Sequence, residues 1–171
     1  GTEDNLQTTL GGIGLGYDYA NWRSQVKWTS NDMNGFKVAV AVVDPAQGST
    51  NSEDLRYEAD LSYAGAFDGG SYTAWLSGMN EDDDAGDKNA YTVGATLAVA
   101  GFEAMAQYSD SENEGLAYDE WNQYIVQAGY RFAGTTLVSA QYSERTDEQS
   151  GVVDLDDEKF TIGVYHDVNA N

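Results

Sequence analysis

The stretch from Leu55 to Tyr63 constrains the fold more than any other part of the sequence, because apolar and polar side chains alternate along it without a break. The apolar set is Leu55, Tyr57, Ala59, Leu61 and Tyr63, and the polar set is Arg56, Glu58, Asp60 and Ser62. Successive side chains of a β-strand point to opposite faces, whereas an α-helix would spread both sets around its circumference. The stretch therefore predicts a strand with one apolar and one strongly polar face.

The same alternation recurs from Ala20 onward and predicts about nine strands. Short turns rich in Gly, Asn and Asp alternate with longer acidic loops along the sequence. Turns are expected at residues 31–35, 65–69, 100–101 and 133–134, and long loops at residues 44–54, 110–120 and 145–157 and around residues 81–84. Alternate connections of an up-and-down sheet lie at the same end, so one rim should carry every long loop and the other every short turn. This asymmetry is typical of outer-membrane β-barrels.

The predicted strand length and the positions of the aromatic residues also fit a membrane barrel. A strand of about ten residues tilted by about 45° spans about 23 Å, close to the apolar thickness of an outer membrane. Aromatic side chains near the ends of the apolar sets are expected for two belts at the membrane interfaces. Such residues are Tyr63, Tyr72, Tyr130 and Phe132 near the turns, and Tyr108 and Tyr142 towards the loops.

A soluble antiparallel sandwich is the alternative, because it also shows alternating strands and turn signals. In a sandwich, two sheets bury each other's apolar faces, and Leu, Ile and Phe usually predominate there. The apolar sets of this chain are instead rich in Ala, Val and Tyr. We therefore predict an all-β, antiparallel, up-and-down transmembrane barrel, and keep a soluble binding module, such as a surface lectin or adhesin, as the alternative.

The composition excludes several classes of function. The 171 residues carry a net charge of −21, which would repel nucleic acid and attract cations. The absence of cysteine rules out disulfides and thiolate metal sites, and the single histidine leaves little for imidazole-dependent chemistry. No apolar run reaches the roughly 18 residues that a membrane-spanning helix needs. We expect no enzyme activity and no cofactor.

The stretch from Arg23 to Val43 resembles a segment of Gram-negative trimeric porins that follows their pore-constricting loop. The residues that carry the likeness are Arg23, Val26, Trp28, Ser30, Met33, Gly35 and Phe36, with Asn31 where the family has proline. The later hairpins look like the following strands of the family in the same order, and residues 160–164 are similar to a strand close to the porin carboxyl terminus. The likeness covers essentially all 171 residues.

This resemblance implies a sixteen-stranded barrel around an aqueous channel in the outer membrane of a Gram-negative bacterium. Because about nine strands cannot close such a barrel, we expect the chain to be an internal fragment of a longer protein. Residues 1–19 would be the carboxyl-terminal part of the constricting loop, with Asp4 and Thr9 at positions where the family has acidic residues, and residues 20–171 would form the barrel wall. The partners implied are outer-membrane lipid and lipopolysaccharide, small hydrophilic solutes and cations, and two further copies in a homotrimer.

Strand parity selects the residues that would line the water-filled lumen. Arg23, carried over by the porin motif, is the strongest candidate. The complete set is Arg23, Lys27, Lys37, Arg56, Glu58, Asp60, Glu103 and Arg131. Opposed charges across a narrow lumen would orient water and dipolar solutes and penalise apolar ones. We accordingly predict a diffusion channel for small hydrophilic solutes with a preference for cations.

Two other groups of residues carry weaker chemical signals. Asp82, Asp83 and Asp84 offer oxygen ligands for a divalent cation, but they lack the spacing of a known calcium loop and are better interpreted as a solvated rim. His166 and Asp167 look like a catalytic pair, yet adjacent residues on a strand point to opposite faces. Neither group is therefore predicted to form a metal or catalytic site.

Overall fold

A computed structural model describes residues 24–44, 55–81, 87–113, 120–148 and 154–168. These residues form one antiparallel sheet of nine strands in the order in which they occur along the chain. The strands are β1 (Gln25–Thr29), β2 (Phe36–Val43), β3 (Arg56–Phe67), β4 (Gly70–Glu81), β5 (Lys88–Val99), β6 (Phe102–Asn113), β7 (Glu120–Phe132), β8 (Thr136–Glu148) and β9 (Leu155–His166). The predicted all-β class, strand number and up-and-down order are confirmed.

The connections alternate between the two rims, as predicted, but they differ less in length than predicted: those at one rim have two, two, three and six residues, and those at the other have six, six, six and twelve. One rim, here called the turn rim, carries the connections at residues 30–35, 68–69, 100–101 and 133–135. The opposite rim, the loop rim, carries the connections at residues 44–55, 82–87, 114–119 and 149–154, the greater parts of which lie outside the described residues. Within the described part of the chain, no helix is long and apolar enough to cross a membrane.

Several strands reach further into the acidic segments than the alternation predicted. Strand β6 continues to Asn113, and β8 continues to Glu148, so residues 110–113 and 145–148 belong to the sheet rather than to loops. Glu81 likewise ends β4. The predicted boundaries were wrong because they were placed where apolar residues stop, whereas the backbone hydrogen bonds continue wherever two strands remain paired. The pairing of Glu112 with Glu120 shows that the ladder continues where both outer-face side chains are charged.

The two faces of the sheet differ in exposure as well as in polarity. We call the face that carries Arg56, Glu58 and Asp60 the inner face, and the face that carries Tyr57, Ala59 and Leu61 the outer face. On β2, the inner-face alanines Ala39 and Ala41 are only 6% exposed, whereas the larger Val40, on the outer face between them, is 46% exposed. Small side chains are buried and large ones exposed because the inner face is concave and its longer side chains cover the alanines.

The outer face presents large apolar side chains along its whole width. They remain exposed from the first strand to the last and include Val26, Leu76, Val93, Val126 and Ile162. In a sandwich, these side chains would be covered by a second sheet, but the described residues form a single sheet. The soluble sandwich is therefore not the fold, and the exposed apolar face has the character of a surface in contact with lipid.

Aromatic rings on the outer face lie in two groups at different heights. Near the turn rim, the ring of Tyr63 lies 4.3 Å from that of Phe36 and 5.7 Å from that of Tyr72. The rings of Phe102, Tyr130 and Phe132 form a second cluster at the same rim. Near the loop rim, Tyr91 contacts Tyr108 and Tyr124 contacts Tyr142, with ring centroids about 6 Å apart. This is the placement expected of two interfacial belts.

Three of the short turns place a non-glycine residue in the left-handed region of backbone space. Asn34, Ala100 and Ala133 have φ angles of 58°, 48° and 50°, and each is followed by a glycine with positive φ. Two successive positive φ angles suit the right-handed twist of the flanking strands, and Asn followed by Gly is the preferred pair for such a turn. Alanine is strained there because its Cβ approaches the following carbonyl oxygen.

The two alanine turns therefore offer a direct test of the turn geometry. Ala100→Asn and Ala133→Asn should each stabilise the folded protein by about 0.5–1 kcal/mol, because asparagine adopts the left-handed conformation more readily. Urea titration of the full-length protein in phospholipid vesicles would measure the free energy of unfolding. Ala98→Asn, within strand β5, is the control and should give no gain; equal gains at all three positions would contradict the turn assignment.

A second test addresses the two faces of the sheet. Val126 lies at the middle of β7 on the outer face, and Gln127 follows it on the inner face. Val126→Arg should destabilise the protein in a bilayer by about 2–4 kcal/mol, because it places a charge in hydrocarbon. Gln127→Arg is the matched control and should cost less than about 1 kcal/mol. Equal costs in vesicle unfolding experiments would show that the outer face does not contact lipid.

Candidate functional site

The charged residues selected from strand parity lie on the inner face wherever the structure describes them. Lys27 lies on β1, Lys37 on β2, Arg56, Glu58 and Asp60 on β3, Glu103 on β6 and Arg131 on β7. Their strand register gives them the same parity across the sheet. Arg23, Asp4 and Thr9, and the acidic run Asp82, Asp83 and Asp84, lie outside the described residues.

The inner face also carries charged residues that the sequence interpretation missed. Arg145 and Asp147 lie on β8, and Lys88, Asp157 and Lys159 lie on β5 and β9. They were missed because the segments around them were interpreted as loops. The available signal was the parity of the adjoining strands, since Arg145 continues the inner-face series that begins at Leu137. With Glu81 and Asp167, these residues nearly double the inner-face charges.

A first charged cluster lies on the inner face of β1 to β5. The guanidinium of Arg56 lies 2.7 Å from the Glu58 carboxylate, and the Ser77 hydroxyl donates a 2.7 Å hydrogen bond to Asp60. Together with Lys27 and Thr92 they line a concave recess of about 380 Å³. The recess thus combines two carboxylates, two cationic groups and two hydroxyls on a single curved surface.

A second cluster lies on β7 and β8, nearer the loop rim. The guanidinium of Arg145 binds both carboxylate oxygens of Asp147 at 2.7–3.0 Å and lies over the ring of Trp121, 4.7 Å from its centroid. Asp147 is only 9% exposed, so this carboxylate is largely removed from water. The planar guanidinium matches a carboxylate with two parallel hydrogen bonds and stacks well on an aromatic face. This cluster is therefore held in one geometry.

A third cluster lies at the turn rim. Arg131 contacts the carboxylate of Glu103 at 3.2 Å and that of Asp167 at 3.6 Å. All three side chains are partly or fully accessible to water, so the interaction contributes little to stability. Its cation and carboxylates remain available to a solute that passes along the inner face.

Between the charged clusters, the inner face carries neutral hydrogen-bonding groups. The hydroxyls of Thr92 and Ser109 lie 2.8 Å apart. Gln123, Ser109 and Ser143 are almost completely buried beneath their neighbours. The inner face of β6 to β9 further includes the side chains of Gln107, Gln127, Gln141 and Thr161, which follow from the strand register. The middle of the face is therefore hydrophilic without a net charge.

The outer face has a different charge pattern. All lysine and arginine side chains of the described strands lie on the inner face, whereas the charged side chains on the outer face beyond the loop-rim tyrosines are all carboxylates. These are Asp110, Glu112, Glu120, Glu144, Glu148, Asp156 and Glu158. Tyrosine hydroxyls hold some of them: Tyr124 and Tyr142 both donate to one oxygen of Glu144, at 2.7 and 2.9 Å. No group of acidic or histidine side chains among the described residues is arranged to hold a metal ion.

His166 and Asp167 do not form a catalytic pair. Nδ1 of His166 lies 2.8 Å from the Thr136 hydroxyl on the outer face, whereas Asp167 contacts Arg131 on the inner face. The opposite orientations follow from the alternation of side chains along a strand, and the prediction that the pair is not catalytic is consistent with this geometry.

A hydrophilic concave face, an exposed apolar convex face, two aromatic belts and asymmetric rims define the wall of an outer-membrane β-barrel channel. The chain belongs to the family of Gram-negative porins, since the sequence model of that family matches residues 1–171. Its place is accordingly the outer membrane, and its family is one of diffusion channels rather than of enzymes. Comparisons with curated proteins and with solved structures found no match.

The buried ion pair of the second cluster should contribute to stability. Asp147→Asn removes a charge-assisted pair of hydrogen bonds to Arg145 and should destabilise the protein by about 1–3 kcal/mol. Glu148→Gln, one residue further on and exposed on the outer face, is the control and should change stability by less than about 0.5 kcal/mol. Urea titration in vesicles measures both values, and equal effects would mean that the Arg145–Asp147 pair is not formed.

Proposed function

We propose that this chain supplies part of the wall of a general diffusion channel for small hydrophilic solutes and ions. The observation that carries the proposal is the partition of charge: every lysine and arginine of the described strands lies on the concave face, opposite a face rich in exposed Val, Leu and Ile. Cations on an outward face would be unstable in hydrocarbon, whereas on an inward face they are hydrated. A water-filled lumen accounts for both faces.

The nine strands would form part of a larger closed barrel, in keeping with the sixteen strands implied by the porin motif. In the described sheet, β1 and β9 are edge strands whose outward hydrogen-bonding groups have no neighbouring strand. Such edges cost several kcal/mol per unpaired group in a bilayer, so closure by further strands is required. Residues 1–19 would fold into the lumen as the constricting loop, with Asp4, Thr9 and Arg23 near the narrowest point.

Solutes would be selected by polarity rather than by a specific binding site. The inner-face charges lie in separate clusters with opposite signs close together, an arrangement that orients water and dipolar solutes. Moving an apolar solute past these clusters would displace water without replacing its hydrogen bonds. Small hydrophilic molecules would therefore cross more readily than apolar ones of the same size.

A preference for cations would come from the loops rather than from the wall. The basic residues on the described inner face are Lys27, Lys37, Arg56, Lys88, Arg131, Arg145 and Lys159, and the acidic ones are Glu58, Asp60, Glu81, Glu103, Asp147, Asp157 and Asp167. The two sets are equal in number, so the wall is close to neutral. Most of the net charge of −21 instead lies in the acidic loops and in the outer-face carboxylates of the loop rim. The outer-face carboxylates point away from the lumen, so the acidic loops would be the part that concentrates cations at the channel mouth.

The partners of the channel would be those of an outer-membrane porin. The tyrosines of the loop rim lie at the height where an aromatic belt meets lipid headgroups, which supports contact with lipopolysaccharide on that side. Assembly as a homotrimer is proposed from the resemblance of residues 23–43 to trimeric porins.

Planar-bilayer recording of the full-length protein tests the channel itself. The expected result is stepwise, ohmic conductance and a reversal potential in a potassium chloride gradient that favours potassium. The absence of conductance steps from protein that has inserted into the bilayer would overturn the proposed function.

The ion selectivity of variants tests whether the inner face, and not the outer face, borders the channel. The double variant Glu58→Gln, Asp60→Asn removes two inner-face carboxylates and should shift the reversal potential towards chloride. The matched control, Asp156→Asn with Glu158→Gln, removes two exposed carboxylates from the outer face and should leave the reversal potential unchanged, since salt at 0.1 M screens charges beyond about 10 Å. A shift in the control alone would reverse the assignment of the faces.

A further inference from the structure

Trp75 presents a large aromatic ring on the inner face of β4. It lies at the middle of β4, with Ser62 and Gly94 as its cross-strand neighbours, and it is only partly buried. Around it, Ser62, Thr73, Ser77, Thr92 and Thr96 carry hydroxyl groups, whereas Gly94 and Ala64 carry no polar side chain. A large aromatic ring on a water-lined surface exposes apolar area that no neighbouring strand covers. The polarity of the wall does not account for such a ring at this position.

The indole of Trp75 lies over Gly94 on the neighbouring strand β5. A methyl group at Gly94 would lie 2.5 Å from Cε2 of the indole and 3.0 Å from the carbonyl oxygen of Ala106, so only glycine allows the ring to cover this part of β5. An aromatic ring over a strand glycine is also a common way to stabilise a sheet, and the outer-face ring of Tyr72 covers Gly65 similarly. This contact with Gly94 fixes the position of the ring but does not by itself define a binding site.

The polar recess beside Trp75 distinguishes it from the other ring–glycine pairs. The recess of about 380 Å³ begins at Ser77, the next inner-face residue on β4, which lies about 7 Å from Trp75 along the strand. Asp60, Arg56 and Thr92 line the same recess. Trp75 does not itself line the recess, but Ser77 on its own strand and Thr92, two positions from Gly94 on the neighbouring strand, both do. The aromatic ring therefore lies at the border of the recess, on the side of these two hydroxyls.

We propose that Trp75 and this recess form a subsite for neutral carbohydrate passing through the channel; the inference rests on the channel function proposed above. A sugar ring has a C–H face that packs on an aromatic ring and hydroxyl groups around its edge that need hydrogen-bonding partners. Asp60 and Glu58 can accept hydrogen bonds from the hydroxyls, and Arg56 can donate to them, as charge-assisted bonds. Trp75 supplies the apolar surface that completes the match.

The chemistry of the recess favours a neutral polyhydroxylated solute over an ion or an apolar molecule. Arg56 and Glu58 already neutralise each other at 2.7 Å, so neither sign of ion gains a strong net attraction. An apolar molecule large enough to fill the recess would strip water from Asp60 and Arg56 without replacing its hydrogen bonds. A sugar restores these hydrogen bonds while covering the indole.

The test is current blocking in planar bilayers with the full-length channel, using maltotriose as the probe and a polyethylene glycol of the same hydrated radius as the size control. Maltotriose should block the wild-type current in a saturable manner, and the polymer should not. Trp75→Ala should raise the half-blocking concentration about fivefold or more, by loss of the aromatic contact. Tyr72→Ala, which removes the outer-face ring that covers Gly65, is the matched control and should leave it unchanged.

The outcomes separate this inference from the channel function. If the wild-type channel conducts but maltotriose and the polymer block alike, the subsite does not exist and the diffusion channel stands. An unchanged half-blocking concentration in a conducting Trp75→Ala channel would also overturn the subsite. If Trp75→Ala forms no channels, Trp75→Phe and Trp75→Leu replace it: phenylalanine should retain most of the block and leucine should lose it, and equal block in both would refute the role of the aromatic face. Absence of any conductance would instead refute the channel.

Discussion

The unbroken ladder of backbone hydrogen bonds is the constraint on which the rest of the structure depends. Within a bilayer, each N–H and C=O must be paired inside the protein, and here the register between β3 and β4 runs continuously from Arg56–Glu81 to Phe67–Gly70. Once the backbone is paired in this way, the position of a residue along its strand decides which face of the sheet its side chain lies on. Lipid contact, charge pairing and solute contact are therefore separated by a single backbone position, as Val126 and Gln127 illustrate.

Parity also explains which parts of the fold and site could be predicted from the sequence. Strand order, the two rims and the inner-face positions of Arg56 and Glu103 follow from alternation and turn chemistry. The ends of β6 and β8 do not, because beyond the tyrosines both faces are polar and the alternation of hydropathy disappears while the hydrogen bonds continue. Arg145 was missed for this reason, and its stacking on Trp121 additionally depends on the register between β7 and β8, which no local pattern encodes.

On the inner face, each arginine is neutralised by a carboxylate close to it, so the face does not carry a large area of one charge. Arg56 with Glu58, Arg145 with Asp147 and Arg131 with Glu103 each place opposite charges on the same or nearby strands. Because the two charges of each pair lie close together and cancel, the wall is strongly hydrated but does not bind any one ion tightly. Such a surface suits rapid passage, and it leaves room for a directional contact such as the ring of Trp75 to discriminate among uncharged molecules.

The unequal rims have a consequence for how the chain enters a membrane. The turn rim carries connections of two to six residues with only two charged side chains, Asp32 and Asp68, whereas the loop rim and its loops hold most of the excess carboxylates. Carrying a charge across hydrocarbon is expensive, so the two ends of each hairpin face very different translocation barriers. A chain that inserts spontaneously into a preformed vesicle should lead with its tight turns and leave its acidic end on the side from which it arrived, giving every molecule the same orientation.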